Sequence, residues 1–136
     1  MNPLRILLVV DDPDTLNVLR RLLAREGHDV LTAMSVAGGM EIARAGDRLD
    51  LLISDIALPD GSGFDLMAGV KALHALPGIA LSGYVDQRDK QRAADAGFCV
   101  HLNKPVRFDD VIRAIESCME GDAVMSSNRR SAPSPT

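Results

Sequence analysis

Short apolar runs alternate with longer amphipathic stretches along most of the chain. The runs predict five β-strands, over residues 5–10, 30–33, 49–54, 78–82 and 99–102. The first and third runs are apolar at consecutive positions, which is typical of central strands covered by helices on both faces. The pattern therefore predicts a parallel sheet between two layers of helices.

The stretches between the strands predict helices, because their apolar residues recur at spacings of three and four. The first and last helices have the clearest stripes, formed by Val18, Leu19, Leu22 and Leu23 and by Phe108, Val111, Ile112, Ile115 and Met119. The second helix, 35–45, contains Gly38-Gly39, and we expect it to be the loosest of the first three. The fourth, about 86–96, offers mainly Ala93, Ala94 and Ala96 to the core, so we expect it to be weakly held.

Five strand–helix units of this length indicate an α/β fold, a doubly wound five-stranded parallel sheet with right-handed crossovers. The predicted domain covers residues 1–120. From Gly121 onward the chain consists mostly of polar residues and proline. Such a segment has too little apolar surface to fold, so residues 121–136 are predicted to be a disordered C-terminal tail.

Composition narrows the function classes. The 136 residues are 46% hydrophobic and carry a formal net charge of −4, without a dense block of Lys and Arg. This argues against direct nucleic-acid binding. No secretory signal peptide is recognisable, and no apolar run approaches the roughly 20 residues that span a bilayer. We therefore expect a cytoplasmic protein with no membrane partner.

The cysteines and two of the histidines carry no recognisable motif. Cys99 and Cys118 have neither a CxxC pattern nor the spacing of zinc ligands, which predicts two buried free thiols in a reducing cytosol. His28 and His74 have no partner motif in the sequence, so we expect both to be solvated.

Polar residues gather where the predicted strands end. Asp11 and Asp12 follow the first strand, Asp55 the third, Ser82 ends the fourth and Lys104 follows the fifth. Loops at the carboxyl ends of the strands form the site in doubly wound sheets, so these side chains should meet on one rim. Singly, each also suits an ordinary helix cap, turn or solvated lysine.

Three segments resemble the motifs of response-regulator receiver domains of two-component signalling: LLISDIALPDGSG (51–63), ALSGY (80–84) and HLNKP (101–105). The resemblance covers residues 4–119. It implies a flavodoxin-like sheet of strand order 2-1-3-4-5, and phosphorylation of Asp55 by a histidine kinase or a histidine phosphotransfer protein. It also implies a cis peptide bond before Pro105.

The resemblance assigns metal ligands as well. Asp55 would be both the nucleophile and a ligand of Mg²⁺ or Mn²⁺, Asp11 and Asp12 would hold the ion, and the carbonyl of Ala57 would add an oxygen. Mg²⁺ suits such a site because it takes hard oxygen ligands and keeps several waters.

Other positions would bind the phosphoryl group or respond to it. Lys104 would contact the phosphoryl oxygens and Ser82 would donate a hydrogen bond to one of them. Ser82 and His101 would belong to a switching surface on helix four and strand five. Ala57 and Tyr84 occupy positions that tune phosphoryl lifetime in the family. Tyr84 would either shield the acyl phosphate or cap the pocket rim.

The chain departs from the family pattern at two places. His101 stands where the family usually has Tyr or Phe, which puts an aromatic-rotation switch in doubt and resembles receivers linked to hybrid histidine kinases in phosphorelays. In addition, counting back from Gly27 puts the family's first acid on Val10 and its second on Asp11. Asp11 would then bind metal directly, and Asp12 would follow it. A one-residue shift that restores an Asp11-Asp12 pair is the alternative.

The sequence leaves three functional hypotheses to compare. The first is a phosphate-accepting signalling domain, without turnover as an enzyme beyond Mg-dependent self-phosphorylation and autodephosphorylation. The second is a pseudo-receiver that docks without phosphate. An aspartyl phosphatase is disfavoured, because the second acid such enzymes carry two residues after the nucleophile is here Ala57. Whether the protein forms a homodimer is left open.

Overall fold

The structure, a computed structural model, describes residues 3–83 and 87–124. Its elements in chain order are β1 (Arg5–Val9), α1 (Pro13–Arg25), β2 (Asp29–Ala33), α2 (Val36–Arg44), β3 (Leu51–Asp55), β4 (Ala57–Leu58), β5 (Gly61–Ser62), α3 (Gly63–Leu73), β6 (Gly78–Ser82), α4 (Gln87–Ala96), β7 (Phe98–Asn103) and α5 (Phe108–Val124). The short pair β4 and β5 is antiparallel, so the predicted fourth and fifth strands are β6 and β7.

The main sheet is five-stranded and parallel, in the order β2-β1-β3-β6-β7. This confirms the predicted doubly wound fold and its 2-1-3-4-5 order. Every residue of β3 is buried. The consecutive apolar run was therefore a correct signal for a central strand.

Two apolar cores flank the sheet. The first core joins the sheet to α1 and α5 and contains Leu19, Leu23, Val111 and Ile115. The second core joins the other face to α2, α3 and α4. Among the side chains described on α4, at 90–96, only Ala93 is buried, which agrees with the expected weak anchoring.

Glycines let α2 approach its neighbours. A Cβ on Gly39 would lie 3.0 Å from Leu66 Cδ1, and one on Gly69 would lie 2.8 Å from Met40 Sδ. Gly39 therefore has a packing role that the sequence alone did not reveal. The expected looseness of α2 stays a prediction.

The prediction of two free thiols was wrong. Cys99 on β7 and Cys118 on α5 form a disulfide, with Cα atoms 6.0 Å apart. The register of β7 against β6 shifts, so that Gly78 pairs with Phe98 and Ile79 with Val100, leaving Cys99 as the extra residue of a bulge. Phe98 packs in the second core and Val100 against the first, so the strand changes face at Cys99 and turns it toward α5.

The expectation that both histidines are solvated was wrong for His28, whereas His74 is partly exposed. His28 is 5% exposed. Its Nδ1 accepts a hydrogen bond from the N–H of Leu4 at 3.0 Å, and burial lowers its pKa. His74 Nε2 lies 2.9 Å from the carbonyl oxygen of Ala43. The partners, Leu4 and Ala43, are distant in sequence from the two histidines, so no local motif indicated these contacts.

The domain boundary at residue 120 stays a prediction. Helix α5 continues past Glu120 to Val124. The rest of the predicted tail lies outside the described residues. Over the described ranges, no helix is long and apolar enough to cross a membrane.

Candidate functional site

Asp55 is the centre of the rim. It ends the central strand β3, and the residue is 1% exposed. Its Oδ1 lies 2.8 Å from Lys104 Nζ, and its Oδ2 accepts a hydrogen bond from the N–H of Asp11 at 2.9 Å. A buried carboxylate is costly unless a cation or donors offset its charge, and here one of each contacts it.

The backbone around Lys104 aims its side chain at this carboxylate. The N–H of Lys104 donates to the carbonyl oxygen of Ser82 at 2.8 Å, which continues the pairing of β7 with β6. The Lys104-Pro105 peptide bond is cis, as the resemblance implied. The pairing of β7 with β6 thus determines where the backbone of Lys104 lies.

Two residues that sequence analysis did not single out hold the backbone of Asp55. Ser54 Oγ donates to the carbonyl oxygen of Asp55 at 2.8 Å. The N–H of Gly63 donates to the carbonyl oxygen of Ile56 at 2.7 Å. A Cβ on Gly63 would lie 2.2 Å from the Asp55 carbonyl oxygen, so only glycine fits there. Its place in the motif DGSG was the available signal.

The acids after β1 have different environments. Val10 is fully buried in the first core, whereas Asp11 and Asp12 are exposed. Asp12 caps α1, because its Oδ2 accepts from both the backbone N–H and the hydroxyl of Thr15. The side-chain hydrogen bond from Thr15 is the main cause of the lowered pKa of Asp12. In this structure the carboxylate of Asp12 therefore stabilises the N-terminus of α1.

The β3–α3 loop is tied to α2 through Asp60, another residue the sequence analysis missed. Its two carboxylate oxygens accept from the N–H groups of Val36 at 2.7 Å and Ala37 at 2.9 Å, and these bonds lower its pKa. Ala57, in the same loop, is exposed and pairs with Ser62 across β4 and β5. The donors lie more than 20 residues before Asp60, so no local pattern showed them.

The predicted switch residues lie on neighbouring strands. Ser82 is partly buried at the end of β6, opposite Asn103, and His101 is partly buried opposite Ala80. Ala80 belongs to the second core, which includes α4. His101 therefore shares the face of the sheet that α4 covers. Tyr84 lies outside the described residues.

An open groove of about 600 Å³ runs from the rim along α1. It is lined by Asp14, Thr15, Val18, Leu19, Lys104, Pro105 and Val106. Val18, one of the residues that line it, is 53% exposed. The groove thus places an apolar surface next to Lys104, the partner of Asp55.

Comparisons with known proteins agree with this geometry. A sequence model of the response regulator receiver domain matches residues 6–116. An uncharacterized 14.6 kDa protein of Leptolyngbya boryana is 38% identical over 114 residues, covering 82% of this chain and 86% of that protein. The transcriptional regulatory protein KdpE of Mycobacterium tuberculosis H37Rv is 34% identical over 114 residues, covering 84% of this chain but only 50% of KdpE.

A crystal structure leads to the same conclusion. A CheY-like response regulator receiver domain protein from Methanospirillum hungatei JF-1 superposes with a TM-score of 0.82 at 27% identity, covering 90% of this chain and 98% of that one. Together with the match over residues 6–116, this likeness shows that the chain belongs to the response-regulator receiver domain family of two-component signalling.

Proposed function

We propose that this receiver domain accepts a phosphoryl group on Asp55. The contact of 2.8 Å between Lys104 Nζ and Asp55 Oδ1 is the observation that carries the proposal. A carboxylate at the end of a central strand, beside a cation and an open groove, has both the nucleophile and the charge that phosphoryl transfer needs.

The transfer would begin with a phosphohistidine on a kinase or phosphotransfer protein. A carboxylate oxygen of Asp55 forms a bond to phosphorus while the P–N bond breaks, and the electron pair of that bond stays on the imidazole nitrogen, which takes up a proton. Lys104 pairs with the phosphoryl oxygens as their charge approaches. Ser82, at the end of the adjacent strand, donates a hydrogen bond to one of them.

The residues present would fit a bound Mg²⁺ or Mn²⁺ through the acids Asp11 and Asp55. No cluster of three His, Cys, Asp or Glu side chains suited to a metal occurs among residues 3–83 and 87–124. Asp11 and Asp55 are adjacent through their hydrogen bond, and the carbonyl of Ala57 is the third hard oxygen we assign. When bound, the ion would offset negative charge on the incoming phosphoryl group. Asp12 would contribute only by leaving its cap on α1.

We propose that the phosphodonor protein, a histidine kinase or histidine phosphotransfer protein, docks along α1. The groove beside Lys104 and the exposed side chain of Val18 support this placement, because they extend apolar surface from the rim. The proposal places the protein in the cytoplasm and involves no contact with nucleic acid or membrane. Phosphorylation would change the surface formed by α4 and β7, including His101. This surface would transmit the signal in a phosphorelay.

The test is mass spectrometry after incubation with acetyl phosphate and Mg²⁺. We expect one added phosphoryl group, about 80 Da, that Asp55→Asn abolishes. Asp47→Asn, which neutralises an exposed acid paired with Arg5 at the start of β1, the opposite end of the sheet from Asp55, is the matched control and should label like the unaltered protein. If no label appears, the pseudo-receiver function replaces this one. If Asp55→Asn still labels, the assignment of the acceptor is wrong.

A further inference from the structure

We propose that Cys99 and Cys118 form a redox-reversible pair, which low-molecular-weight disulfides such as oxidised glutathione close and dithiols open. Closing it ties the edge strand β7 to helix α5. The proposal rests on the cytoplasmic location in the proposed function, because disulfides of cytosolic proteins are usually transient or redox-sensing.

The backbone brings the two residues together. The bulge in β7 turns Cys99 toward α5, and the Cα atoms of the pair are 6.0 Å apart. That separation is within the usual range for a disulfide, about 4.4–6.8 Å. The bond can therefore form without moving either element.

The two cysteine residues differ in exposure. Cys99 is exposed on β7, which pairs with β6 alone and forms one edge of the sheet. Cys118 is 3% exposed in the first core. Cys99 is therefore the residue that meets an external thiol or disulfide, and Cys118 is the one that resolves the adduct.

The chemistry is a two-step exchange. The Cys99 thiolate attacks one sulfur of oxidised glutathione, forming a mixed disulfide and releasing one glutathione thiolate. The Cys118 thiolate then attacks the Cys99 sulfur and releases the second glutathione. Two protein thiols lose two protons and two electrons, and the electrons reduce the disulfide of the reagent to two thiols. A dithiol attacking the Cys99 sulfur reverses the sequence.

The fold does not depend on the bond. Val111, Ala114 and Ile115 hold α5 in the first core, and a buried free thiol packs as a small apolar group. Closing the pair adds a covalent tie between α5 and the strand that leads to Lys104. Its effect is to stiffen this half of the domain.

The test equilibrates the full chain with graded ratios of reduced to oxidised glutathione, blocks free thiols by alkylation, and determines masses. We expect two alkylated cysteines in excess reduced glutathione and none in excess oxidised glutathione, and the change should be reversible. Cys118→Ala should accumulate a glutathione adduct on Cys99, whereas Cys99→Ser should leave Cys118 unmodified. The opposite pattern, or no oxidation at any ratio, would overturn the proposal. So would a bond that excess dithiol leaves intact in the folded protein.

Thermal unfolding supplies a second readout. A disulfide closing a loop of this length typically adds stability, so reduction should lower the Tm by about 10 °C. The Tm of Cys99→Ser should not respond to the reductant. Asp55→Asn should show the same cysteine titration as the unaltered protein, so the failure of this proposal and that of the phosphorylation proposal are distinguishable.

Discussion

Lys104 Nζ lies 2.8 Å from Asp55 Oδ1, with 2% of the Asp55 side chain exposed and 36% of the Lys104 side chain exposed. The cation thus reaches from solvent to a carboxylate that is almost completely enclosed. Removing the cation would leave a buried charge without its partner, whereas removing the carboxylate would leave a lysine that can turn to water.

Lys104→Met should therefore lower the free energy of unfolding by about 1–3 kcal/mol. In an Asp55→Asn background the same substitution should cost much less, because no buried charge remains to be compensated. Denaturant unfolding of the four proteins closes a double-mutant cycle. Equal costs in both backgrounds would show that the pair does not couple. Labelling of Lys104→Met by acetyl phosphate should also slow, by about 100-fold.

The environments of Asp11 and Asp12 predict unequal effects on metal binding. Asp11→Ala should remove nearly all Mg²⁺ binding, because its backbone hydrogen bond places it beside Asp55. Asp12→Ala should weaken binding less and should lower the Tm, because it removes the cap of α1. Asp12→Asn, which keeps an oxygen for that cap, is the control.

Calorimetric titration suits this comparison, since the chain contains no Trp to report binding by fluorescence. Equal losses in the two alanine variants would favour the alternative in which Asp11 and Asp12 act as a pair. A larger loss in Asp12→Ala would show that the wrong ligand was chosen.

Asp60 predicts a stability effect with a defined pH range. Its pKa lies below the ordinary 3.8, because N–H groups of α2 donate to the ionised carboxylate. A lowered pKa in the folded state adds stability above the unfolded pKa, and this stability is lost as the pH falls through the folded value. Asp60→Ala should therefore melt a few degrees lower at pH 7, and the difference should shrink below pH 3.8.

The Tm of Asp60→Asn at pH 7 should lie between that of the unaltered protein and that of Asp60→Ala. An amide still offers one acceptor oxygen to α2 but carries no charge. Thermal melts over pH 2–7, a range of about two units on either side of the ordinary carboxyl pKa, check the prediction. A Tm difference that does not depend on pH would mean that the ionised form is not what binds the helix.

The strand pattern predicted the sheet well, because central strands such as β3 must be apolar on both faces. The meeting of Asp55 with Lys104 also followed from strand ends and motif resemblance. Cys99 was misjudged because a bulge changes which face its side chain takes, and no residue type marks a bulge of this kind. His28 and Asp60 were missed because their partners, Leu4 and the start of α2, lie 24 residues away.

The switching surface can be tested by hydrogen exchange. With a beryllium fluoride mimic of the phosphoryl group, exchange should change most between Ser82 and Lys104. Of the α4 side chains described, only Ala93 is buried, Ala96 packs partly buried against the second core, and Arg92 stacks 4.3 Å from the ring centre of Phe64. A change confined to α1 would contradict the prediction. Asp55→Asn, which should not respond to the mimic, is the control.

Gly63 also limits how this sequence can vary. Every single-nucleotide missense change in a glycine codon introduces a residue with a Cβ, and at this position that atom would lie 2.2 Å from the carbonyl oxygen of Asp55. The clash is with backbone, which cannot turn aside as a side chain can. Every substitution at Gly63 should therefore be deleterious. A mutational scan should find this position as intolerant of substitution as Asp55, even though Gly63 takes no part in the chemistry.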